Sequence, residues 1–170
     1  MAEPHNESRA ELQSAITDLE QLNSHPALAK LLEWNSAAVS SARFDRNELT
    51  IEVDRSYIRQ ACSILKPNFN FFSDLTCVDW FPSEPRFHVV YQLLSHSLKE
   101  RVRLKVKLPG DDPVVESIVS VWPAANFFER EVYDLFGVRF LSHPNLKRIM
   151  MPEDWEGNPL RKDYPVEGYR

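Results

Sequence analysis

The sequence is poor in the residues that hold clusters, metals and phosphates. Among 170 residues there are two cysteines, Cys62 and Cys77, and four glycines, Gly110, Gly137, Gly157 and Gly168. An iron–sulfur cluster usually takes four thiolates, and a structural zinc takes four closely spaced Cys/His ligands. Neither pattern is present. The glycines compose neither GxGxxG nor GxxxxGK(S/T), which excludes phosphate loops of the Rossmann and P-loop kinds. Two lone thiols with no disulfide framework point to a reducing compartment. No apolar stretch approaches the ~20 residues that cross a bilayer. The start, Met-Ala-Glu-Pro-His-Asn-Glu, has neither a signal core nor the basic character of a transit peptide. The expectation is a cytosol-facing protein whose membrane association runs through partners. A basic excess is also missing. The net charge of −5 disfavours a protein that seeks nucleic acid or anionic membrane through its overall charge.

What is present is ordinary for a globular chain, 43% hydrophobic and 26% charged. The length suits one domain, or one domain with an appended segment. Residues 1–45 read as an N-terminal helical segment. Leu12, Ile16, Leu19 and Leu22 recur at helical spacing, His25-Pro26 breaks that helix, and Leu28, Leu31 and Leu32 mark a short second one. Such stripes serve either as core cover or for docking to a partner. Over 46–137 helix and strand alternate. Leu49, Ile51 and Val53 alternate inward on a strand. Asp54 is placed to cap a helix with Tyr57, Ile58, Ala61, Cys62 and Leu65 on one face, which makes Cys62 an inert core thiol.

An apolar run over 70–80 ends in a Pro82–Pro85 turn, and a strand follows over 86–95. Residues 101–108 alternate strictly, with Val102, Leu104, Val106 and Leu108 inward and Arg101, Arg103, Lys105 and Lys107 outward. The outer row is either the solvated face of a half-buried antiparallel strand or a docking patch for an acidic partner. No aromatic interleaves with these cations, so the row makes a poor track for single-stranded nucleic acid. Asp112 followed by Pro113 predicts a helix carrying Val115, Ile118, Val119 and Trp122 and ending at Pro123. Asn126 and Glu129 stand near capping-box spacing, and the helix they open runs Phe127 to Phe136, closed by Gly137. The sum predicts an α+β core domain, a mostly antiparallel sheet covered by helices, ending near residue 137.

Residues 138–170 differ. Four of the twelve prolines fall at 144, 152, 159 and 165, and no period survives between them. Yet Phe140, Leu146, Ile149, Met150, Met151, Trp155, Leu160 and Tyr164 make the segment too apolar for a disordered tail. An irregular stretch of this length cannot order itself against its conformational entropy. It needs a surface, either its own domain or another chain. Its length favours the second, so the segment reads as an extended C-terminal tail that binds a partner.

The chemistry-bearing residues cluster here. Glu129-Arg130-Glu131-Val132-Tyr133-Asp134-Leu135-Phe136-Gly137 is followed by His143-Pro144 and Leu146-Lys147-Arg148-Ile149. Pro152-Glu153-Asp154-Trp155 and Pro159-Leu160-Arg161-Lys162-Asp163-Tyr164-Pro165 complete the series. This composite motif resembles the 30 kDa subunit family of respiratory complex I, the C subunit of NADH–quinone oxidoreductase. Upstream, Ser73-Asp74-Leu75-Thr76 through Asp79, Arg86-Phe87 through Leu94, and Arg101–Leu108 also resemble it, so the likeness covers roughly residues 48–165. The chain departs from the family at Leu141-Ser142, where Glu-Gly is frequent, and at Asn158, where His is frequent.

The resemblance implies a non-catalytic architectural and assembly subunit of the peripheral arm of a proton-translocating NADH–quinone oxidoreductase. Such a subunit supports electron transfer from NADH to quinone. It implies no redox centre in this chain, while the whole complex uses FMN, iron–sulfur clusters and quinone. The partners implied are the quinone-site subunits, chiefly the D subunit, with the B and I subunits, and no nucleic acid. The implied place is peripheral, on the cytoplasmic face of a bacterial inner membrane or its plastid thylakoid equivalent. Related membrane-bound hydrogenases and ferredoxin- or coenzyme F420-linked complexes use a similar subunit, which leaves the electron donor open.

Beside that stand the residues themselves. Glu129, Glu131, Asp134 and His143 can be read as an acid–base cluster. Arg130, four before Asp134, fits an ion-pair network instead, and no nucleophile, metal set or glycine loop accompanies the group. A proton relay is the third reading. Arg148, Arg161, Lys162, Asp163 and Tyr164 read as anchors at a subunit interface, where the planar fork of arginine binds carboxylate bidentately. Trp155 reads as an aromatic anchor in a partner's pocket.

Overall fold

The computed structural model describes residues 15–167. Its centre is a five-stranded sheet in the order β1-β2-β5-β4-β3, built from β1 (Val39–Asp45), β2 (Glu48–Val53), β3 (Phe71–Asp79), β4 (Phe87–Ser95) and β5 (Glu100–Leu108). β1–β2, β3–β4 and β4–β5 pair antiparallel, and β2–β5 pair parallel. The fold is α+β. The predicted strands form because their apolar residues repeat with period two. Leu49, Ile51 and Val53 on β2, and Val102, Leu104, Val106 and Leu108 on β5, are all buried. The helices pack on this inner face. They are α1 (Leu19–Leu22), α2 (Pro26–Asn35), α3 (Ile58–Leu65) and α4 (Ala125–Phe136). α2 contributes Leu28 and Leu31, α3 contributes Ile58, Cys62 and Leu65, and α4 contributes Val132 and Phe136 to one continuous core. Both thiols are buried, as expected of Cys62.

Several expectations are corrected. No helix follows Asp112; Val114–Glu116 form a short strand, β6, pairing in parallel with β7 (Arg139–Leu141). The residues at 115, 118, 119 and 122 do have helical spacing, but Val114 and Val115 are β-branched and a partner strand arrives from beyond α4. Residues 39–45, expected within an N-terminal helical segment, form β1 at the edge of the main sheet. Ile16 bridges to Phe44 instead of extending a helix, and Leu12 lies outside the described residues. The first described residues therefore share the core rather than standing apart. Asp54 accepts from the Ser56 amide, while α3 opens after Tyr57 without a side-chain cap. The core also does not stop at 137, since Val138 and Phe140 are buried.

The C-terminal segment brings the largest correction. Over 142–167 it has neither helix nor strand, as expected, but it lies on its own domain, a strap fastened across α4 and the β3–β4 hairpin. Charged side chains and backbone carbonyls of the domain supply the holding energy that its apolar residues alone could not.

Candidate functional site

The strap and α4 bring most of the singled-out residues together. α4 buries one face of its turns, and two acids fall on it, Glu129 and Asp134, both fully buried. They are five positions apart and meet opposite environments.

Glu129 does not cap the helix, which begins at Ala125 without a side-chain cap. Its carboxyl turns inward. Oε1 accepts from the Ile118 amide at 2.7 Å, and Oε2 has no hydrogen-bond partner. Burial pushes its pKa up to about 7, and the bonds from Ser117 and Ile118 only partly offset that. His143 Nε2 stands 3.9 Å from Oε2 with both side chains buried. The Asn145 amide donates to His143 Nδ1 at 3.0 Å, so Nε2 carries the ring hydrogen and points it at the Asn126 carbonyl, 3.3 Å away. Burial lowers the His143 pKa, which keeps the imidazole neutral. The two groups are neighbours without being an ion pair.

Asp134 is an anchor. Its Oδ2 accepts three consecutive amides, Ile149, Met150 and Met151, at 2.9, 2.8 and 2.9 Å. Its Oδ1 meets Arg148 Nη1 at 2.5 Å. Burial alone would raise this acid's pKa; the three amides and Arg148 overcome that and hold it below the ordinary value. Arg148 reaches on to the Gly157 carbonyl, and Arg130 donates to the carbonyls of Lys147 and Arg148.

The C-terminus of α4 is capped by the strap as well. The last carbonyls of a helix lack intrahelical donors, and that end of its dipole favours cations. Asn158 Nδ2 donates to the Asp134 carbonyl at 2.9 Å, the Leu160 amide to Leu135 at 3.0 Å, and Arg161 Nε to Phe136 at 2.6 Å. Gly137 takes the left-handed conformation at φ 76°, as its predicted closing role requires. A Cβ there would collide with Arg161 Nη2 and Asn158 Oδ1.

A third anchor involves two residues whose role the sequence does not announce, Asp79 and Arg86. Arg86 binds Asp79 through Nε (2.9 Å) and Nη2 (2.8 Å), and binds Asp163 through Nη1 (2.9 Å) and Nη2 (2.6 Å). Asp79 also accepts the Lys162 amide at 2.9 Å. Burial works to raise the Asp79 pKa, but the Arg86 bonds and the Lys162 and Phe81 amides bring it down to about 2. The guanidiniums of Arg86 and Arg161 lie 4.8 and 5.1 Å from the Phe87 ring. The available signal is the β3–β4 pairing, which sets Asp79 opposite Phe87 and so beside Arg86. Nothing local indicates that Asp163 joins them from 77 residues away.

Glu131, Trp155 and the side chain of Lys162 remain on the outside, with Tyr164 half-buried and its hydroxyl bonded to the Glu156 carbonyl. Around them the strap exposes Ile149, Met150 and Leu160, and α4 exposes Phe127. Glu153, Asp154 and Glu156 are exposed there, with no ion pair among the described residues. Glu129 and Asp134 present no side-chain surface outward. Among the described residues, no group of three or more His, Cys, Asp or Glu converges as a metal site would. The site's chemistry is that of fastening on the inside and display on the outside.

Residues 51–170 match the family described as respiratory-chain NADH dehydrogenase, 30 Kd subunit. The chain is 46% identical over 145 residues to the NADH-quinone oxidoreductase C subunit of Geobacter sulfurreducens, covering 84% of this chain and 90% of that one. Two solved structures are similar. A trypsin-resistant fragment (1-134) of Nqo5 matches at TM-score 0.61 and 31% identity, over 71% of this chain and 99% of that chain. A chain of the membrane-bound sulfane sulfur reductase, an archaeal respiratory membrane complex, matches at TM-score 0.71 and 29% identity, over 82% and 84%.

Proposed function

Because this chain belongs to the 30 Kd subunit family of respiratory-chain NADH dehydrogenase, we propose that it acts as an architectural subunit of an NADH–quinone oxidoreductase and docks its neighbours through the outer face of the strap. The observation that carries this is the strap's two-sidedness. Asp134, Arg148, Arg161 and Asp163 are consumed in bonds between the strap and the domain. The outer face leaves Met150, Trp155 and Leu160 exposed at 62%, 39% and 51%. Large apolar side chains held rigid on a surface are what an interface uses as anchors.

On this reading the chain holds no redox centre and performs no electron transfer step. The donor set supports that: both thiols lie in the hydrophobic core, and burial pushes the Cys77 thiol up to about 12. FMN, iron–sulfur clusters and quinone belong to the neighbours, of which the D subunit is the principal one, with B and I alongside. The position is peripheral, on the cytoplasmic side of the membrane; no helix among the described residues is long and apolar enough to cross it. The likeness to a sulfane sulfur reductase complex supports a second reading, the equivalent subunit of a related respiratory membrane complex with another electron donor. The higher identity to the C subunit of the quinone-reducing enzyme favours the first.

The test substitutes the outer face and spares the inner one. Met150→Asp, Trp155→Asp and Leu160→Asp together should leave the free chain folded. They should abolish its retention on membranes and the membranes' NADH–quinone activity. Retention and activity at the unaltered level would refute the docking role.

A further inference from the structure

Among the described residues, helices cover one face of the main sheet, and on the other face strand pairing arranges the side chains in rows. Across β3, β4 and β5 these read Val78–His88–Lys107, Thr76–Val90–Lys105, Asp74–Gln92–Arg103 and Phe71–Leu94–Arg101. β2 extends two of them, with Glu52 beside Lys105 and Thr50 beside Arg103. The face is therefore divided along its strands. The β3–β4 half sets Phe71, Val78, Val90 and Leu94 among Thr76, Asp74, Gln92 and His88, more apolar surface than the solvent side of an antiparallel sheet ordinarily carries. Phe71, Val78 and Trp80 stay 47%, 41% and 48% exposed.

The β5 half is a column of four cations. Glu48 takes Arg103 at 2.6 Å and Glu52 takes Lys107 at 2.7 Å. Lys105 and Arg101 have no carboxylate at ion-pair distance among the described residues. Burial, then Arg103 and the other nearby cations, lower the Lys105 pKa despite Glu52. Beside Lys107, His88 packs on Trp80 at 5.4 Å and leaves its buried Nδ1 without a hydrogen-bond partner. Burial and then Lys105 and Lys107 lower its pKa, opposed by Glu52, so it adds no further positive charge to the column.

We infer that this face docks an acidic, amphipathic segment of another polypeptide, its apolar side against Phe71, Val78 and Leu94 and its carboxylates toward Lys105 and Arg101. Charge complementarity selects that occupant. Apolar surface beside cations lacking counter-charges is completed by a segment that brings both. β5 has nine residues, a span of roughly 30 Å, so a helix of about 20 residues matches the length of the column. Nucleic acid would find two unpaired cations, Lys105 and Arg101, in place of a continuous basic track, since Glu48 and Glu52 pair Arg103 and Lys107. A second copy of this chain would bring another such column.

The surface shares no residue with the strap's outer face, and one experiment separates the two. A photo-cross-linking residue is placed in the full chain in cells at Thr76, at Gln92 or, on the strap, at Glu153. The first two positions should each capture one polypeptide, through a peptide whose sequence interleaves carboxylates with apolar residues. Lys105→Glu combined with Arg101→Glu should cut that yield about tenfold or more, without lowering the Tm of the free chain or the yield from Glu153. The inference is overturned by no capture from Thr76 and Gln92, capture of a second copy or of nucleic acid, capture through a basic peptide, or a yield indifferent to the charge reversal. Capture from Glu153 alone sinks the sheet-face reading and spares the strap. Capture from Thr76 and Gln92 alone does the reverse.

Discussion

Glu129 and Asp134 are the same kind of acid on the same helix, both sealed from solvent, and their surroundings drive them in opposite directions. Glu129 has one amide donor on Oε1, a bare Oε2 and a neutral histidine beside it, and its pKa rises to about 7. Asp134 has three amides and an arginine, and its pKa falls. Burial acts the same way on both. What separates them is the number of donors the chain aims at each carboxylate. The acid with few donors lies under the middle of the helix, where the core supplies them sparingly. The acid with many lies where the strap crosses, because the strap brings them. Asp134 thus makes the strap part of the domain, and Glu129 makes no comparable demand on it.

The widest break in that comparison is Asp134→Ala. It strands Arg148 and three amides facing a site with no acceptor. Loss of one partner from a buried charged network costs about 3 kcal/mol or more. Urea unfolding of the full chain should show that loss, with trypsin cleaving the strap first. An unaltered unfolding midpoint would mean that the strap is held by other means.

The second concerns pH. Glu129 has a folded pKa of about 7 against an ordinary 4.5, so between these values the folded protein holds a proton the unfolded chain releases. Its contribution is therefore most favourable below about pH 4.5, declines as pH rises to 7 and is flat above. The span is on the order of 3 kcal/mol. Asp79 and Asp134 run the other way. Their stabilisation is present above the unfolded pKa and is lost as pH falls through the folded one, about 2 for Asp79. Glu129→Gln preserves the Ile118 bond and should remove the decline between pH 4.5 and 7. A variant that retains the wild-type pH slope would place that titration elsewhere.

These two acids also mark how far a sequence can be read. Period-two alternation identifies β2 and β5 because burial of one face acts on each residue by itself. Gly137 is legible as the end of α4 for a similarly local reason, its φ of 76°. The helix expected after Asp112 is not a helix because spacing at 115, 118, 119 and 122 is shared by two structures, and the choice is made by β7, more than twenty residues on. The same non-locality hides the anchors. Glu129 and Asp134 are visible as acids of one motif, but the donors that Asp134 meets return on the strap from residues 148–151. Asp79 and Arg86 become a site only when Asp163 reaches them. The strap's apolar residues are too few to order it, and by themselves they point to a partner chain. The ionic and backbone bonds that secure it to its own domain leave no pattern in sequence.

A smaller perturbation tests the junction between helix and strap. Gly137→Ala imposes a left-handed backbone on a residue with a Cβ, at a cost of about 1 kcal/mol. It also presses that Cβ into Arg161 Nη2 and Asn158 Oδ1. Both are ends of side chains and can retreat, but retreat loosens their bonds to the Phe136 and Asp134 carbonyls. The total should be about 1–2 kcal/mol in thermal unfolding. Gly137→Asn, which tolerates the left-handed region better, should recover part of the backbone share and none of the contact share.

The smallest expected effect on the free chain is the most telling for function. Trp155 lies on the strap, 39% exposed, with its amide bonded within its own turn to Pro152. If the strap's inner bonds set its place and its outer residues serve a neighbour, Trp155→Ala should shift unfolding by no more than about 0.5 kcal/mol, as for a surface substitution. The same change should weaken capture of the chain by its assembly by about tenfold or more, as for the loss of an aromatic hot spot. The contrast with Asp134→Ala is then complete. One residue carries the strap's attachment to the domain and little of its outward binding, and the other the reverse. A large stability loss from Trp155→Ala with assembly unaffected would invert the assignment and make the outer face part of the fold.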